Sequence, residues 1–345
     1  MIKFECDYHE GAHPLIMQRL METNMEQTVG YGEDPYCAHA RELILEACGC
    51  DRQTTQVHFL VGGTQTNTTV IAHILRPHQG AVAANTGHIN VHETGAIEHT
   101  GHKVLALPSP DGKLTAEQVR NCLQAHIDDC NFEHMVQPGL VYISYPTEQG
   151  SLYTHQELKD LYAVCREYQV PLFIDGARLG YGLASPDCDL TLPDLARCCD
   201  VFYIGGTKVG ALFGEAVVIT NPALQKDFRY TIKQHGGMFA KGRLLGIQFE
   251  TLFTDGLYGK ISAHAIHEAL RIKEALKKKG YGFVVENNTN QQLPILPDKE
   301  LERLQKDFEF SFWEKTDATH TAVRICTCWA TKSENVDKLI AAILD

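Results

Sequence analysis

Apolar and polar positions along the chain follow two periods. Seven short runs rich in β-branched or apolar residues read as strands: VHFLV (57–61), AVAA (81–84), KVLALP (103–108), LVYIS (140–144), PLFID (171–175), VFYIG (201–205) and EAVVIT (215–220). Several are apolar throughout, as strands buried on both faces of a parallel sheet are. Between them, residues 64–75, 115–128 and 154–168 carry helical spacing, and each opens on a Thr able to cap a helix. This repeated order, strand then helix, predicts an α/β fold with helices on both faces of the sheet. After Pro222 the texture changes to long helical segments at 241–255 and 260–279. A strand-and-helix set follows, containing TAVRICT and ending in a helix at 334–344. The pattern predicts a large domain over 1–245, built on a mostly parallel seven-stranded sheet, and a smaller C-terminal α+β domain over 246–345.

Composition narrows the class. The 31 Lys and Arg against 43 Asp and Glu leave a formal charge of -12, which disfavours nucleic acid as a partner. The opening MIKFECDYHEG lacks the charged start and apolar run of a signal peptide, and no later run is long and apolar enough for a membrane span, so a cytoplasmic protein is expected. The 12 cysteines include no C-x-x-C pair and sit mostly in apolar runs, which reads as reduced, buried thiols. The triplet Lys277, Lys278 and Lys279 precedes Gly280, where cations complement a helix C-terminus, so it is a solvated helix end.

In open α/β sheets ligands gather at the carboxyl ends of strands, and four sequence features fall there. GGTQTN (62–67) follows a strand and opens a helix. Gly63 and Thr64 could cradle an anion, or the stretch is a plain capped turn; it matches neither usual nucleotide loop. DGARLG (175–180) puts Asp175 at a strand tip, where it could hold a cationic ring nitrogen or pair internally with Arg178. Lys208 is the one cation in the run FYIGGTKVGALFGE, and burial would suppress its charge and make a nucleophilic amine that an aldehyde traps. HINVHETG (88–95) brings His88, His92 and Glu93 together as a metal set, as packed histidines, or with one ring against a flat ligand. Together the four describe a site for pyridoxal phosphate: an anion cradle, a carboxylate for a ring nitrogen, an aromatic face and a strand-tip lysine.

On these residues the chain resembles the threonine aldolase and β-eliminating lyase group of fold-type I pyridoxal-phosphate enzymes. The resemblance runs in order through ECDYHEGAHP, YGEDPYC, GGTQTN, HINVHETGA, DGARLG, GGTKVGALFGE and VRICTCW. It implies that Lys208 binds the cofactor aldehyde, Asp175 faces the pyridine nitrogen, His88 stacks on the ring, and Gly63, Thr64 and Thr207 join the cofactor site. It implies that Arg178 lies near the cofactor's phenolic oxygen and, with Arg324 and Asp7, serves the substrate, while Tyr31 stands at the mouth. Homodimers or homotetramers with shared sites are also implied, with Lys233 or Lys241 reaching a neighbour's phosphate. Two positions depart from the group: Cys6, Asp7, Tyr8 stand where Ser-Asp-Thr is usual, and Pro146, Thr147, Glu148, Gln149, Gly150 stand where many members have a histidine in N-T-H-x-G. The implied activity is retro-aldol cleavage of threonine or allo-threonine to glycine and an aldehyde. Lys208, Asp175, His88 and Glu148 are its catalytic residues, with Glu148 or His88 as the base. β-Elimination from another amino acid is the alternative within the scaffold, and a metal-dependent hydrolase built on His88, His92 and Glu93 is the alternative outside it.

Overall fold

The computed structural model describes residues 1–345. Its largest sheet contains all seven predicted strands, in the spatial order Gln56–Leu60, Glu215–Ile219, Val201–Gly205, Leu172–Asp175, Gln137–Ser144, Gln79–Ala84, Val104–Leu107. Glu215–Ile219 runs antiparallel to both of its neighbours, and every other pair is parallel. Both faces of this sheet are covered, which accounts for the unbroken apolar runs. Val141, Ile143, Ile174, Phe202 and Ile204 pack into one helical layer, whereas Leu140, Tyr142, Phe173, Val201 and Tyr203 pack into the other.

Local chemistry sets the helix starts. Thr115 and Thr154 each close a capping box, with Gln118 and Glu157 respectively, so these helices begin where the sequence predicts. Thr64 does not cap: its helix spans Gly63–Ile74 and the cap position belongs to Gly62, which has no side chain to spend on the first-turn N–H groups. Strand ends move as well. Gln137 and Pro138 interrupt the apolar pattern, yet they pair with Gln79 and Gly80, so that strand starts three residues ahead of its apolar run.

The C-terminal sheet is centred on His320–Cys326. Gln291–Gln292 and Pro294–Pro297 pair with it along one side and Ser311–Lys315 along the other, all antiparallel. The helices Leu257–Lys279 and Ser333–Leu344 cover it, contributing Ile272, Leu276, Val336 and Leu339 to a third core. Phe4 joins the same core, and Ile2–Lys3 pairs in parallel with Phe308–Glu309. The N-terminal strap therefore packs with the C-terminal layer before it crosses to the large sheet, where the His13 N–H donates to the Gly210 carbonyl at 2.8 Å. No helix is long and apolar enough to cross a membrane.

The helix Arg243–Phe253 crosses Pro35–Ala47 at Gly246, where an added Cβ would stand 2.5 Å from the Cys37 backbone nitrogen. Backbone cannot give way as a flexible side chain can. Gly246→Ala is expected to cost about 1–3 kcal/mol through overpacking, read as a lower midpoint in urea denaturation.

Candidate active site

Topology alone brings the chemical groups to one edge of the sheet. Ser144 and Asp175 are register partners at the ends of adjacent parallel strands, and Val201–Gly205 ends beside them and leads into Lys208. The reversed strand starts where its neighbours end, so its first residue, Glu215, pairs with both Gly205 and Leu60 at that same edge. The helix Gly63–Ile74 leaves from there too.

Asp175 is only 4% exposed. It accepts hydrogen bonds from the hydroxyls of Tyr142 (2.6 Å) and Tyr203, from Asn67 Nδ2 (2.9 Å) and from the Ala177 N–H (3.0 Å). Burial pushes its pKa up, but the nearby His88 and these donors outweigh burial and hold the carboxyl below its ordinary range. A buried anion therefore persists with neutral donors around it and neither Lys nor Arg among them.

Arg178 does not pair with Asp175. Its Nε and Nη2 grip Asp7 at 2.7 and 2.9 Å in a bidentate fork, and Asn290 Nδ2 adds a bond to Asp7 at 2.9 Å. Burial opposes the Asp7 charge, while Arg178 and then Lys208 overcome it and leave its pKa lowered. Saturated in this way, Asp7 serves Arg178 rather than a substrate, which corrects the expectation drawn from the resemblance. Arg178 keeps Nη1 outside these bonds and lines the cavity around Lys208.

Lys208 is half-buried and lines the pocket, and burial, followed by the field of Arg178, lowers its affinity for a proton. Its backbone carbonyl accepts the Tyr181 hydroxyl at 2.6 Å, and that hydroxyl accepts the Trp329 N–H at 3.2 Å, so one phenol ties the lysine to the C-terminal region. Glu215 lies behind it. Burial drives this carboxyl up to about 8, against hydrogen bonds from Thr207 and Gly206. Thr207 itself spends Oγ1 accepting the Gly214 N–H at 3.0 Å.

His88 Nδ1 lies 2.7 Å from Glu93 Oε1, which also accepts Asn67 Nδ2 at 2.8 Å. Both bonds fall on Glu93 Oε1, and its buried Oε2 has no partner. His88, His92 and Glu93 form no metal-holding arrangement, and nor does any other group of three or more His, Cys, Asp or Glu side chains. Glu148 sits opposite, with Oε1 accepting the His88 N–H at 2.9 Å and the Ser144 hydroxyl at 2.6 Å. Burial raises its pKa despite those donors.

A cavity of about 440 Å³ opens over Lys208, Arg178, His88 and Glu148, with Tyr8, Trp313 and Arg324 among its walls. Arg324 gives Nη2 to the Glu5 carbonyl at 3.1 Å, while its buried Nε has no partner. Tyr31 lies elsewhere. It is 48% exposed on a positive-φ turn and lines a separate cavity with Arg41, His58 and Arg229; Lys233 sits 5.0 Å above its ring. Thr64, Lys233 and Lys241 are likewise exposed.

The residues present fit pyridoxal phosphate. The uncapped helix start at Gly62 and Gly63 offers first-turn N–H groups to a phosphate, and a Cβ at Gly62 would meet nothing within 4 Å. Asp175 takes no hydrogen bond from Lys or Arg, and a protonated ring nitrogen is a fitting partner for it. The sequence reading missed Asn67, Tyr142, Ser144, Tyr203, Glu215 and Asn290. Glu215 carried a usable signal, being a charge at the head of an apolar strand, as Lys208 is a charge inside an apolar run.

Comparison with known proteins agrees with this geometry. The family model of β-eliminating lyases matches residues 7–299. A low specificity L-threonine aldolase from Pseudomonas is 31% identical over 271 residues, covering 77% of this chain and 75% of that protein. A solved threonine aldolase structure from Leishmania major is 44% identical with a TM-score of 0.96, covering 99% of this chain and 98% of that one. Serine palmitoyltransferase from Sphingomonas wittichii shares the fold alone, at 13% identity and TM-score 0.72 over 99% of this chain and 86% of that one.

Glu215 gives a pH test of this arrangement. Its folded value of about 8 exceeds the ordinary 4.5, so between those values the native state holds a proton that the unfolded chain releases. That contribution is full below the lower value and is lost as pH rises through the upper one. Glu215→Gln removes it, so the variant's stability relative to the wild type should climb with pH across the window, measured by denaturation midpoints on either side of it.

Proposed function

We propose, from a chain that belongs to the β-eliminating lyase family, that this protein is a pyridoxal-phosphate-dependent aldehyde-lyase cleaving threonine or allo-threonine to glycine and acetaldehyde. The observation that carries the reading is the pairing, at one sheet edge, of a lysine whose hold on its proton is weakened with a buried carboxylate that takes no hydrogen bond from any Lys or Arg. Similarity to the Leishmania major and Pseudomonas threonine aldolases supports the substrate.

Lys208 would hold the cofactor through its aldehyde, Asp175 through its ring nitrogen, the N–H groups at Gly63 and Thr64 through its phosphate, and His88 through its ring face. Pyridoxal phosphate, when bound, supplies an electron sink for the pair released at Cα. The chain does the rest. Arg324, from the cavity wall, and Arg178, through the Nη1 left outside its fork with Asp7, face the substrate carboxylate. Two anchors on one carboxylate fix the direction of the Cα–Cβ bond, and that orientation selects which bond breaks.

Both bonds to the Glu148 side chain land on Oε1, leaving Oε2 for the substrate. We assign it the proton of the β-hydroxyl: as that O–H bond breaks, its electrons form the aldehyde carbonyl and the Cα–Cβ pair stays on Cα. The carboxylate occupies the place of the histidine expected from the resemblance, and its raised pKa moves a base toward neutrality. His88, held by Glu93, is the other candidate.

The same reading moves the boundary expected at 245 past the helix Arg243–Phe253, whose Leu245, Phe249 and Leu252 pack into the large core, so the cofactor-binding domain includes that helix and the remainder brings Arg324. Twelve unpaired cysteines suit a reducing, cytoplasmic setting. Exposed Leu15, Met17, Met21, Met25 and Tyr230 suit a subunit interface of a homodimer or homotetramer. Tyr31, Lys233 and Lys241, outside their own chain's cavity, would serve a neighbour's site there.

The purified holoenzyme should carry a visible, borohydride-reducible chromophore that Lys208→Ala abolishes. A colourless protein indifferent to added pyridoxal phosphate overturns the cofactor assignment. Product analysis with threonine, allo-threonine and β-substituted alanines should give glycine plus aldehyde and no ammonia-releasing elimination. Glu148→Gln should lower kcat about 10²–10⁴-fold, the range for loss of a positioned base. In the wild type kcat should rise with pH as Glu148 loses its proton, through a value above the ordinary 4.5.

A further inference from the structure

The stretch Glu286 to Gln292 reads ENNTNQQ, yet Asn287, Thr289, Asn290, Gln291 and Gln292 are each at most 6% exposed. So much buried amide requires partners, and the partners show what the stretch does. Asn290 goes to Asp7, beneath Arg178. Asn287 goes to the turn that carries Glu148.

Its orientation is forced. Oδ1 accepts the Thr289 N–H and hydroxyl, both at 2.9 Å, so Nδ2 must point the other way, where it donates to the Gln149 carbonyl at 3.1 Å. The Asn287 backbone carbonyl accepts Lys273 Nζ at 2.8 Å, and Lys273 is itself 4% exposed. On the far side of the bond, Gly150 adopts φ +88°, and a Cβ there would stand 2.4 Å from Asn287 Nδ2. The root of the turn is fixed to the large sheet's side by Thr147 and Ser151, which donate to the Asp111 carbonyl at 3.2 and 2.8 Å. Its tip is fixed by Asn287.

We propose that Asn287 is a positioning residue through which the C-terminal region aligns Glu148 with the substrate hydroxyl. This rests on the reading of Glu148 as the proton acceptor. Arg324 belongs to the same unit as Asn287, since Gln291–Gln292 pairs with Ile325 and Cys326. The unit that grips the substrate carboxylate therefore also sets the base, and carboxylate engagement and proton removal are coupled through one amide.

The test is steady-state threonine cleavage by the holoenzyme forms of Asn287→Ala, Asn287→Asp, Glu148→Gln and the Glu148→Gln/Asn287→Ala double variant. Asn287→Ala should lower kcat about 10- to 100-fold, the scale of a misplaced catalytic group. Binding of glycine, which has the carboxylate but no β-hydroxyl, should stay within about twofold by spectral titration, because the carboxylate anchors are untouched. Asn287→Asp keeps acceptors for Thr289 but cannot donate to Gln149, so it should show the same loss and keeps the test open where the alanine variant folds poorly. In the Glu148→Gln background, removing Asn287 should cost less than about threefold. The acid limb of the kcat profile should move to lower pH in Asn287→Ala, as water reaches Glu148. Wild-type turnover in both Asn287 variants overturns the proposal, as does a fully additive loss in the double variant. Wild-type turnover in Glu148→Gln overturns the reading of Glu148 itself, a distinct outcome.

Discussion

Asp175 must remain ionised inside the protein with no Lys or Arg bonded to it, and much of the site follows from that requirement. Four neutral donors surround it, and each comes from a different place: the strand end at Tyr142, the strand at Val201–Gly205 through Tyr203, the helix after Gly63 through Asn67, and its own turn through Ala177. None of these can shift without leaving a buried carboxylate short of a partner, which costs more than an ordinary hydrogen bond contributes. The donors also link outward. Asn67 bridges to Glu93 and so to His88, and the Ser144 hydroxyl, 3.3 Å from the Tyr142 oxygen, bonds Glu148.

A second constraint is that the nearby cation is already occupied. Arg178 spends its fork on Asp7, delivered by the N-terminal strap and braced by Asn290 from the C-terminal region. Three distant parts of the chain thus meet around one ion pair. Arg178 stays charged and aligned, yet its charge is largely neutralised, so Arg324, which lines the same cavity and pairs with no carboxylate, is the freer anchor for an anion.

The architecture was legible because its cause is local and repeated: strands buried on both faces must be apolar, and a run such as VFYIG states this outright. Lys208 and Asp175 were legible for the converse reason, as charges set where apolar sequence predicts none. Tertiary partners were not. Nothing in DGARLG reveals that Arg178 bonds a residue 171 positions away instead of its near neighbour Asp175. Thr64 looked like a cap because Thr usually is one, but Gly62 sits where the chain turns. Asn287 was invisible because a polar run such as ENNTNQQ ordinarily signals a solvated loop, and only the fold shows it to be an interior one.

The Tyr181 hydroxyl, bonded at once to the Lys208 carbonyl and the Trp329 N–H, has an optical consequence. Trp329 is one of two tryptophans in the chain, and its indole lies with its centre 5.6 Å from that of the His13 ring, where the strap, the lysine loop and the C-terminal region converge. Its emission is therefore an intrinsic gauge of that junction. Any rearrangement that separates the two halves of the molecule must change the surroundings of a native fluorophore, with no label attached.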